Sequence, residues 1–133
     1  MKFNGDITKT AVAQGAFYNC SDLKSITIPK GVTSIGVNAF QNCIALTNIE
    51  IPNGVTAIAS ETFFCCKSLT SIEIPSSVTR IDSGAFLGCT GLANIYFRGT
   101  EEQWNAITKD TNWNDGMGSN VSDGTVITYN YTG

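Results

Sequence analysis

Residues 38–58 read NAFQNCIALTNIEIPNGVTAI, and the same pattern returns 23 positions later as ETFFCCKSLTSIEIPSSVTRI, residues 61–81. Eight columns of identical or similar residues keep this register over three or four copies. The columns are Phe17/Phe40/Phe63/Phe86, Cys20/Cys43/Cys66/Cys89, Leu23/Leu46/Leu69/Leu92, Ile26/Ile49/Ile72/Ile95, Ile28/Ile51/Ile74/Phe97, Pro29/Pro52/Pro75, Val32/Val55/Val78 and Ile35/Ile58/Ile81. A fixed period of this length indicates a repeat protein, in which each copy is one structural unit stacked on the next.

Each copy contains a segment that is typical of a short strand. Between Leu46 and Ile51, apolar and polar residues alternate toward the end, as they do in a half-buried strand. Pro52 then ends the strand, because proline has no N–H to continue a ladder. One copy alone cannot bury these apolar side chains, whereas stacked copies can. The sequence therefore predicts one short strand per copy and apolar columns that run along the stack.

The pattern Ala-Phe-x-x-Cys-x-x-Leu-x-x-Ile-x-Ile-Pro-x-x-Val-x-x-Ile resembles the BspA-like (Treponema-type) leucine-rich repeat family. The resemblance covers about residues 15–100, and Gly99–Trp104 and Asn112–Asn114 are similar to segments that often close such arrays. It implies a repeat solenoid of leucine-rich-repeat coils, 23 residues each, with short β-strands and little helix. We expect a right-handed stack of these coils that ends in a C-terminal cap.

The chain length favours one domain, because domains typically run to about 100–200 residues. We expect a single leucine-rich-repeat domain over residues 1–133, with a degenerate N-terminal half-coil in 1–16, repeats in 17–98 and a C-terminal cap in 99–133. The half-coil is suggested by the alignment of Phe3 with Ile26 and of Val12 with Ile35.

The expected cap begins where the register breaks, at Arg98. Thr100 and Gln103 have the spacing of a capping box, which predicts a short helix with Trp104 and Ile107 against the last coil. Trp104 falls in the column of Ile35, Ile58 and Ile81, so we expect it in the core. Alternation from Thr125 to Tyr131 predicts a final strand. The residues expected on one face of it are Ile127, Tyr129 and Tyr131.

Composition excludes several classes of partner. The net charge is −3 and the eight basic residues are scattered, whereas nucleic acids and anionic membranes attract clustered Lys and Arg. No apolar stretch approaches the roughly 20 residues of a membrane span. Met1–Asp6 lacks the apolar region of a signal peptide. The protein is therefore either retained inside the cell or a domain cut from an exported one, and the resemblance implies a surface or secreted location.

We expect no enzymatic activity, cofactor or metal site. The chain contains no histidine, the commonest general base and metal ligand. Asp82-Ser83-Gly84 matches the aspartic-protease tripeptide, but that chemistry needs a second such carboxylate. The segment 110–116 resembles a calcium loop with a late glycine and no final glutamate. We interpret these two segments as repeat drift and as an ordinary cap loop.

The redox state of the five cysteines is left open by the sequence. A column cannot bring four thiolates to one metal ion, although neighbouring coils lie close enough for a disulfide. Free cysteine is commonly buried, so reduced structural thiols are the favoured interpretation. Cys65 lies outside the column and is expected to point outward, where it would be the thiol most open to oxidation. The cysteines are Cys20, Cys43, Cys65, Cys66 and Cys89.

The candidate binding strip consists of the outward residues between the Leu and Ile columns. They are Ser25, Thr27, Asn48, Glu50, Ser71, Glu73, Asn94 and Tyr96. Stacked repeats bind partners through such surfaces, and Tyr96 is the natural anchor. The alternative is a merely solvated strand face, since outward strand positions are polar in any soluble sheet. Charge reversal of Glu50 and Glu73 is expected to weaken binding of a ligand without lowering the melting temperature.

Two functions from different classes fit the sequence. The resemblance implies a non-enzymatic adhesion module that binds a protein, such as an extracellular-matrix or host-surface protein, or a glycan. The alternative is a structural spacer, or a solenoid segment that associates end to end with other copies. An accessory domain of a larger enzyme is a third and weaker hypothesis.

Overall fold

A computed structural model describes residues 10–133, so the expectation for Phe3 lies outside the described residues. Within that range the chain forms nine short strands and one helix. The elements are β1 (Ala11–Val12), β2 (Ser34–Ile35), β3 (Asn48–Glu50), β4 (Ala57–Ile58), β5 (Ser71–Ile74), β6 (Arg80–Ile81), β7 (Asn94–Phe97), α1 (Glu101–Ala106), β8 (Thr108–Lys109) and β9 (Val126–Thr128). The expected repeat fold, with mostly strands and little helix, is confirmed.

The strands of the described residues form three parallel sheets in the orders β1-β2, β3-β5-β7-β9 and β4-β6-β8. Each strand pairs with the strand at the equivalent place in the next copy. In the four-stranded sheet Ile49 pairs with Ile72, and Ile72 pairs with Ile95, at separations of 23 positions. The repeat period of the sequence is thus the register of the parallel ladder between β3 and β7.

The last turn of the chain is longer than the others. Ile81 pairs with Lys109, 28 positions on, and Ile95 pairs with Ile127, 32 positions on. The alignment of Trp104 with Ile81 is therefore wrong, because α1 is inserted before β8. Trp104 is nevertheless buried, as expected. The tail continues both sheets with β8 and β9, and its added residues lie in the connections that lead to these two strands.

The helix α1 has the predicted N-terminal capping box. The Gln103 N–H donates to the Thr100 hydroxyl at 3.1 Å, and the Thr100 N–H donates to the Gln103 side-chain oxygen at 2.8 Å. Two otherwise unbonded donors are satisfied in this way. The final strand is shorter than expected and ends at Thr128. Tyr131 does not share a face with Ile127, because its ring stacks on Tyr96 outside the core.

The first copy departs from the expected pattern. Residues 25–28 form no strand and no ladder with β3, although Ile26 and Ile28 are buried. The backbone bond that joins the two copies here runs from the Thr47 N–H to the Lys24 carbonyl, at 3.2 Å. The strand expected around Ser25 and Thr27 is therefore absent, and β3 is an edge of the sheet.

The phenylalanine column forms a stack of nearly parallel rings through the core. The ring centroids of Phe17 and Phe40, Phe40 and Phe63, and Phe63 and Phe86 are 5.3, 5.6 and 5.5 Å apart. Trp113 closes the stack edge-on against Phe86 at 6.1 Å. These buried rings contact one another from copy to copy, which favours a single register.

Two further columns have a left-handed backbone, which the sequence analysis missed. Their members have positive φ angles between 56° and 77°. The columns are Gly15, Asn38, Glu61 and Gly84, and Asn19, Asn42, Cys65 and Gly88. Gly and Asn adopt this conformation most readily. The signal was present in the sequence as Asn and Gly at 23-residue spacing, but Glu61 and Cys65 obscured it.

This backbone lets the loop before the cysteine column bond in two directions. The Phe40 N–H donates to the Thr62 carbonyl of the next copy at 2.9 Å, whereas the Cys43 N–H donates to the Phe40 carbonyl in its own turn. The same alternation occurs in the other copies, as with the Phe63 N–H and the Ala85 carbonyl. The loops are thereby stacked by hydrogen bonds as regularly as the strands.

We predict that Phe63→Ala lowers the free energy of unfolding by about 3–5 kcal/mol, because it removes a fully buried ring from the middle of the stack. Ile44→Ala is the control, since Ile44 is 47% exposed and should change stability by less than about 0.5 kcal/mol. Urea denaturation followed by circular dichroism measures both. Equal losses in the two variants would contradict the stacked core.

We predict that Cys65→Asn raises the free energy of unfolding by about 0.5–1 kcal/mol, because Asn tolerates the left-handed backbone better than Cys. The Asn42 amide already donates to the Asn19 side-chain oxygen at 2.9 Å, and an asparagine at this place extends that ladder. Cys65→Ser also removes the thiol, but serine does not tolerate the left-handed backbone as asparagine does. This variant should therefore give no gain in stability. A gain from serine equal to that from asparagine would refute the explanation.

Candidate binding surface on the outward face of the sheet

The structure brings six of the eight predicted site residues into two rows on one sheet. Asn48, Ser71 and Asn94 form the first row, because they pair across β3, β5 and β7. Glu50, Glu73 and Tyr96 form the second row in the same way. The isoleucines between the rows are buried, so the rows face outward. Ser25 and Thr27 lie outside the sheet, in the first copy.

Exposure falls along the strip from its N-terminal to its C-terminal end. Thr27, Asn48 and Glu50 are exposed, whereas Glu73 and Tyr96 are only half-exposed. The difference arises because the end of the chain folds over the C-terminal part of the strip. The N-terminal half is the more accessible part for a partner.

Arg98 is a member of this surface that the sequence analysis did not assign to it. Its guanidinium lies 2.6 Å from the Glu73 carboxylate and 3.8 Å from that of Glu50. The Glu73 side chain is 29% exposed and that of Glu50 is 62% exposed. Glu73 therefore already has a close cationic partner within the chain. Glu50 is the more available charge.

Tyr131 covers the expected aromatic anchor. Its ring stacks on Tyr96 with a centroid distance of 4.6 Å, and the Arg98 guanidinium lies 5.2 Å from the Tyr131 centroid. The Tyr131 N–H donates to the Phe97 carbonyl and holds the tail in place. Aromatic pairs and cation–π contacts of this kind are each worth about 0.5–1.5 kcal/mol. The sequence did indicate a change at this place, because Arg98 stands where the earlier copies have proline.

A groove of about 630 Å³ opens at the N-terminal end of the strip, beside the unpaired edge of β3. Its size lies within the range of about 300–1,000 Å³ that is usual for ligand clefts. Isoleucines of the first two copies contribute its apolar part. Its polar lining comprises Thr27, Lys30, Asn48, Glu50, Asn53 and Glu73. One concave site is therefore lined by three exposed residues of the predicted strip, namely Thr27, Asn48 and Glu50.

The last three members of the cysteine column are buried and bonded to the backbone of the preceding copy. The thiols of Cys43, Cys66 and Cys89 donate to phenylalanine carbonyls at 3.1, 3.1 and 2.9 Å. Burial raises the pKa of Cys43 and of Cys89 from 9.0 to about 12, and it raises the pKa of Cys66 further. All five cysteines are free thiols, with Cys20 and Cys65 only half-buried. This arrangement suits a structural role, since the thiolate is the reactive form.

We predict that a thiol-specific alkylating reagent at pH 8 modifies Cys20 and Cys65 in the folded protein and reaches the other three only after unfolding. Peptide mass mapping with and without denaturant measures the sites. Because the folded pKa of the column thiols is raised, their contribution to stability is complete below pH 9 and declines as the pH rises from 9.0 toward 12. Rapid labelling of Cys66 in the folded state would contradict the buried column.

The segment that resembles a calcium loop uses its oxygens within the chain. The Asp110 carboxylate accepts the Ser83 N–H at 3.1 Å, and the Asn112 side-chain oxygen pairs with the Ser83 hydroxyl at 2.7 Å. Residues 10–133 contain no group of three or more His, Cys, Asp and Glu that could hold a metal ion. The segment packs the long last turn against the copy before it.

The family model for the BspA type leucine rich repeat region matches residues 10–111 with six copies. This match covers more than half of the chain and agrees with the resemblance seen in the sequence. The chain belongs to the BspA-type leucine-rich repeat family. A comparison with curated proteins finds no significant match.

Three solved structures show the same repeat fold. A leucine rich cell surface protein of Faecalibacterium prausnitzii is 37% identical with a TM-score of 0.62, over 77% of this chain and 33% of that one. A leucine-rich repeat protein of Bacteroides ovatus is 31% identical with a TM-score of 0.64, over 72% and 29%. The leucine rich repeat protein of T. pallidum is 28% identical with a TM-score of 0.52, over 65% and 51%. The chain thus spans about a third of the first two structures.

Within the part of the chain that the structure describes, no helix is both long and apolar enough to cross a membrane.

Proposed function

We propose that this BspA-type leucine-rich repeat chain is a non-enzymatic protein-binding module that acts through the outward face of its four-stranded sheet. The observation that carries the proposal is the pair of polar rows on β3, β5 and β7, which meet a groove at the sheet edge. Repeat folds bind through such extended surfaces because their strands hold side chains at fixed spacing. A rigid array also loses little entropy when a partner binds.

The module belongs, in this proposal, to a cell-surface or secreted protein that takes part in adhesion. Support comes from the Faecalibacterium prausnitzii relative, which is described as a cell surface protein and is about three times as long as the matched region. The partner in this proposal is an extracellular-matrix or host-surface protein, and a glycan is the alternative class of partner.

We also propose an architecture for the whole domain. Residues 17–98 form coils of 23 residues in a right-handed stack, and residues 99–133 cap the stack. Of the half-coil assigned to residues 1–16, the structure describes only residues 10–16. Support for the cap comes from Trp104, which packs edge-on against Phe97 at 5.3 Å and covers the last full copy. A cap of this kind protects apolar columns that would otherwise be open to water.

A structural spacer or a self-associating segment is the second candidate. The observation in its favour is β9, which forms the last strand of its sheet among residues 10–133 and carries the exposed Val126. An open strand edge of this kind can pair with another copy. Light scattering over a range of concentrations tests this candidate, since a strict monomer removes self-association.

We predict that Ser71→Arg weakens binding of the chain to a matrix-protein partner at least tenfold, because it places a bulky charge in the middle of the outward face. The partner is first selected from a panel of purified extracellular-matrix proteins, and biolayer interferometry measures the affinity. Thr56→Arg is the matched control, since Thr56 is exposed and precedes β4 in a different sheet. It should retain the affinity of the unchanged chain.

Melting temperatures of both variants establish that they fold. Surface substitutions of this kind usually change stability by less than about 0.5 kcal/mol. If Ser71→Arg binds the partner as tightly as Thr56→Arg does, the outward face is not the binding surface. If no protein of the panel binds, the proposed class of partner is wrong.

A further inference from the structure

The edge of β3 has backbone groups that the repeat would normally pair. In the second and third copies, the Ile51 N–H donates to the Glu73 carbonyl at 2.9 Å. The corresponding bond one copy earlier would join the Ile28 N–H to the Glu50 carbonyl. It is absent from residues 10–133, where residues 25–28 form no ladder with β3. The sheet therefore has an unfilled pairing position at its N-terminal edge.

The backbone of Glu50 faces this position. Successive residues of a strand direct their N–H and C=O groups to alternate sides. The Ile51 N–H points toward β5, so the Glu50 N–H and carbonyl point the opposite way, into the groove. Neither Glu50 backbone group has a partner among the described residues. A strand edge with free groups is a template for an added strand.

Two carboxylates lie beside this edge. Those of Glu50 and Glu73 line the groove together with the ammonium of Lys30. The chain itself shows what this pair of carboxylates accepts, because the Arg98 guanidinium contacts both of them. Glu50 lies 3.8 Å from that guanidinium and remains mostly exposed, so it can take a second cation. Charge-assisted contacts of a guanidinium to a carboxylate are among the stronger polar contacts in proteins.

The groove also has an apolar part, which Ile26 and Ile49 contribute. An extended peptide presents alternate side chains to opposite faces. One set of its side chains would contact these isoleucines, and the other set would lie beside Glu50. The site therefore fits an extended segment in which apolar and basic residues alternate.

We propose that the groove binds an extended, basic segment of a partner protein by β-strand addition to the free edge of β3. The segment pairs its backbone with Glu50 and places an arginine or lysine on the Glu50 carboxylate. This inference rests on the proposed protein-binding function and names the partner chemistry of the same surface. Main-chain bonds supply affinity in this mode of recognition, and alternate side chains supply specificity.

The test uses the full chain and a fluorescein-labelled, capped heptapeptide of alternating valine and arginine, with fluorescence anisotropy as the readout. Two control peptides separate the contributions. In one, glutamate replaces every arginine, which reverses the charge. In the other, alternate backbone nitrogens are methylated, which blocks strand pairing and keeps every side chain. We expect each change to weaken binding at least tenfold.

Protein variants locate the site. Glu50→Lys should weaken binding of the valine–arginine peptide at least tenfold, and Glu50→Gln should weaken it severalfold. Glu102→Gln removes the same charge from the exposed helix α1 and should leave binding unchanged. The Glu50 amide should exchange with solvent rapidly in the free chain and slowly with peptide. The Ile51 amide, which is already bonded to Glu73, is the internal control.

Several results would overturn the proposal. Equal binding of the methylated peptide excludes strand addition, and equal binding by Glu50→Lys excludes this groove. Slow exchange of the Glu50 amide in the free chain means that the groove is already filled, either by the chain itself or, if light scattering shows a dimer, by a second copy. If these tests fail while Ser71→Arg still abolishes binding of the matrix protein, only this inference falls. If Ser71→Arg also has no effect, both proposals fall.

Discussion

The whole structure depends on hydrogen bonds between equivalent residues of successive copies. No copy encloses a core by itself, because its strands are only two to four residues long. The strands and the loops both bond to the next copy, and this double attachment holds the phenylalanine rings at nearly constant spacing. Once the copies are in register, isoleucine lies on isoleucine and the columns exclude water. Stability in such a stack is close to a sum of nearest-neighbour terms.

The outward face inherits its geometry from the same register. The pairing that places Ile72 between Ile49 and Ile95 on the buried face of the sheet also places Glu73 between Glu50 and Tyr96 on its outward face. Two acidic side chains on neighbouring strands would repel each other, and Arg98 relieves this repulsion at one end. The two ends of the strip consequently differ in chemistry. The C-terminal end is occupied by Arg98 and Tyr131, whereas the N-terminal end leaves a carboxylate and a strand edge available.

Much of the interior was predictable because a 23-residue period constrains every copy at once. The phenylalanine, leucine and isoleucine columns follow from that period, and the capping box of α1 follows from local spacing. Trp104 is buried as expected, although the alignment that predicted it is wrong. The repeat period gives no information about the segments that depart from the repeat. The pairing of Ile81 with Lys109 depends on the length of an insertion, and the contacts of Tyr131 depend on how the tail returns to the sheet. The missing ladder at residues 25–28 breaks the repeat locally, so a repeat-based prediction necessarily places a strand there.

The insertion at α1 shows where this fold accommodates additional length. In the last turn the chain leaves β7, forms a helix and still returns to β8 in parallel with β6. The corner between the two sheets can therefore accept extra residues, because neither sheet depends on the path between them. Length variation among related repeats should accumulate at this corner. Whole loops could be gained there during evolution while the inner columns of the protein stayed intact.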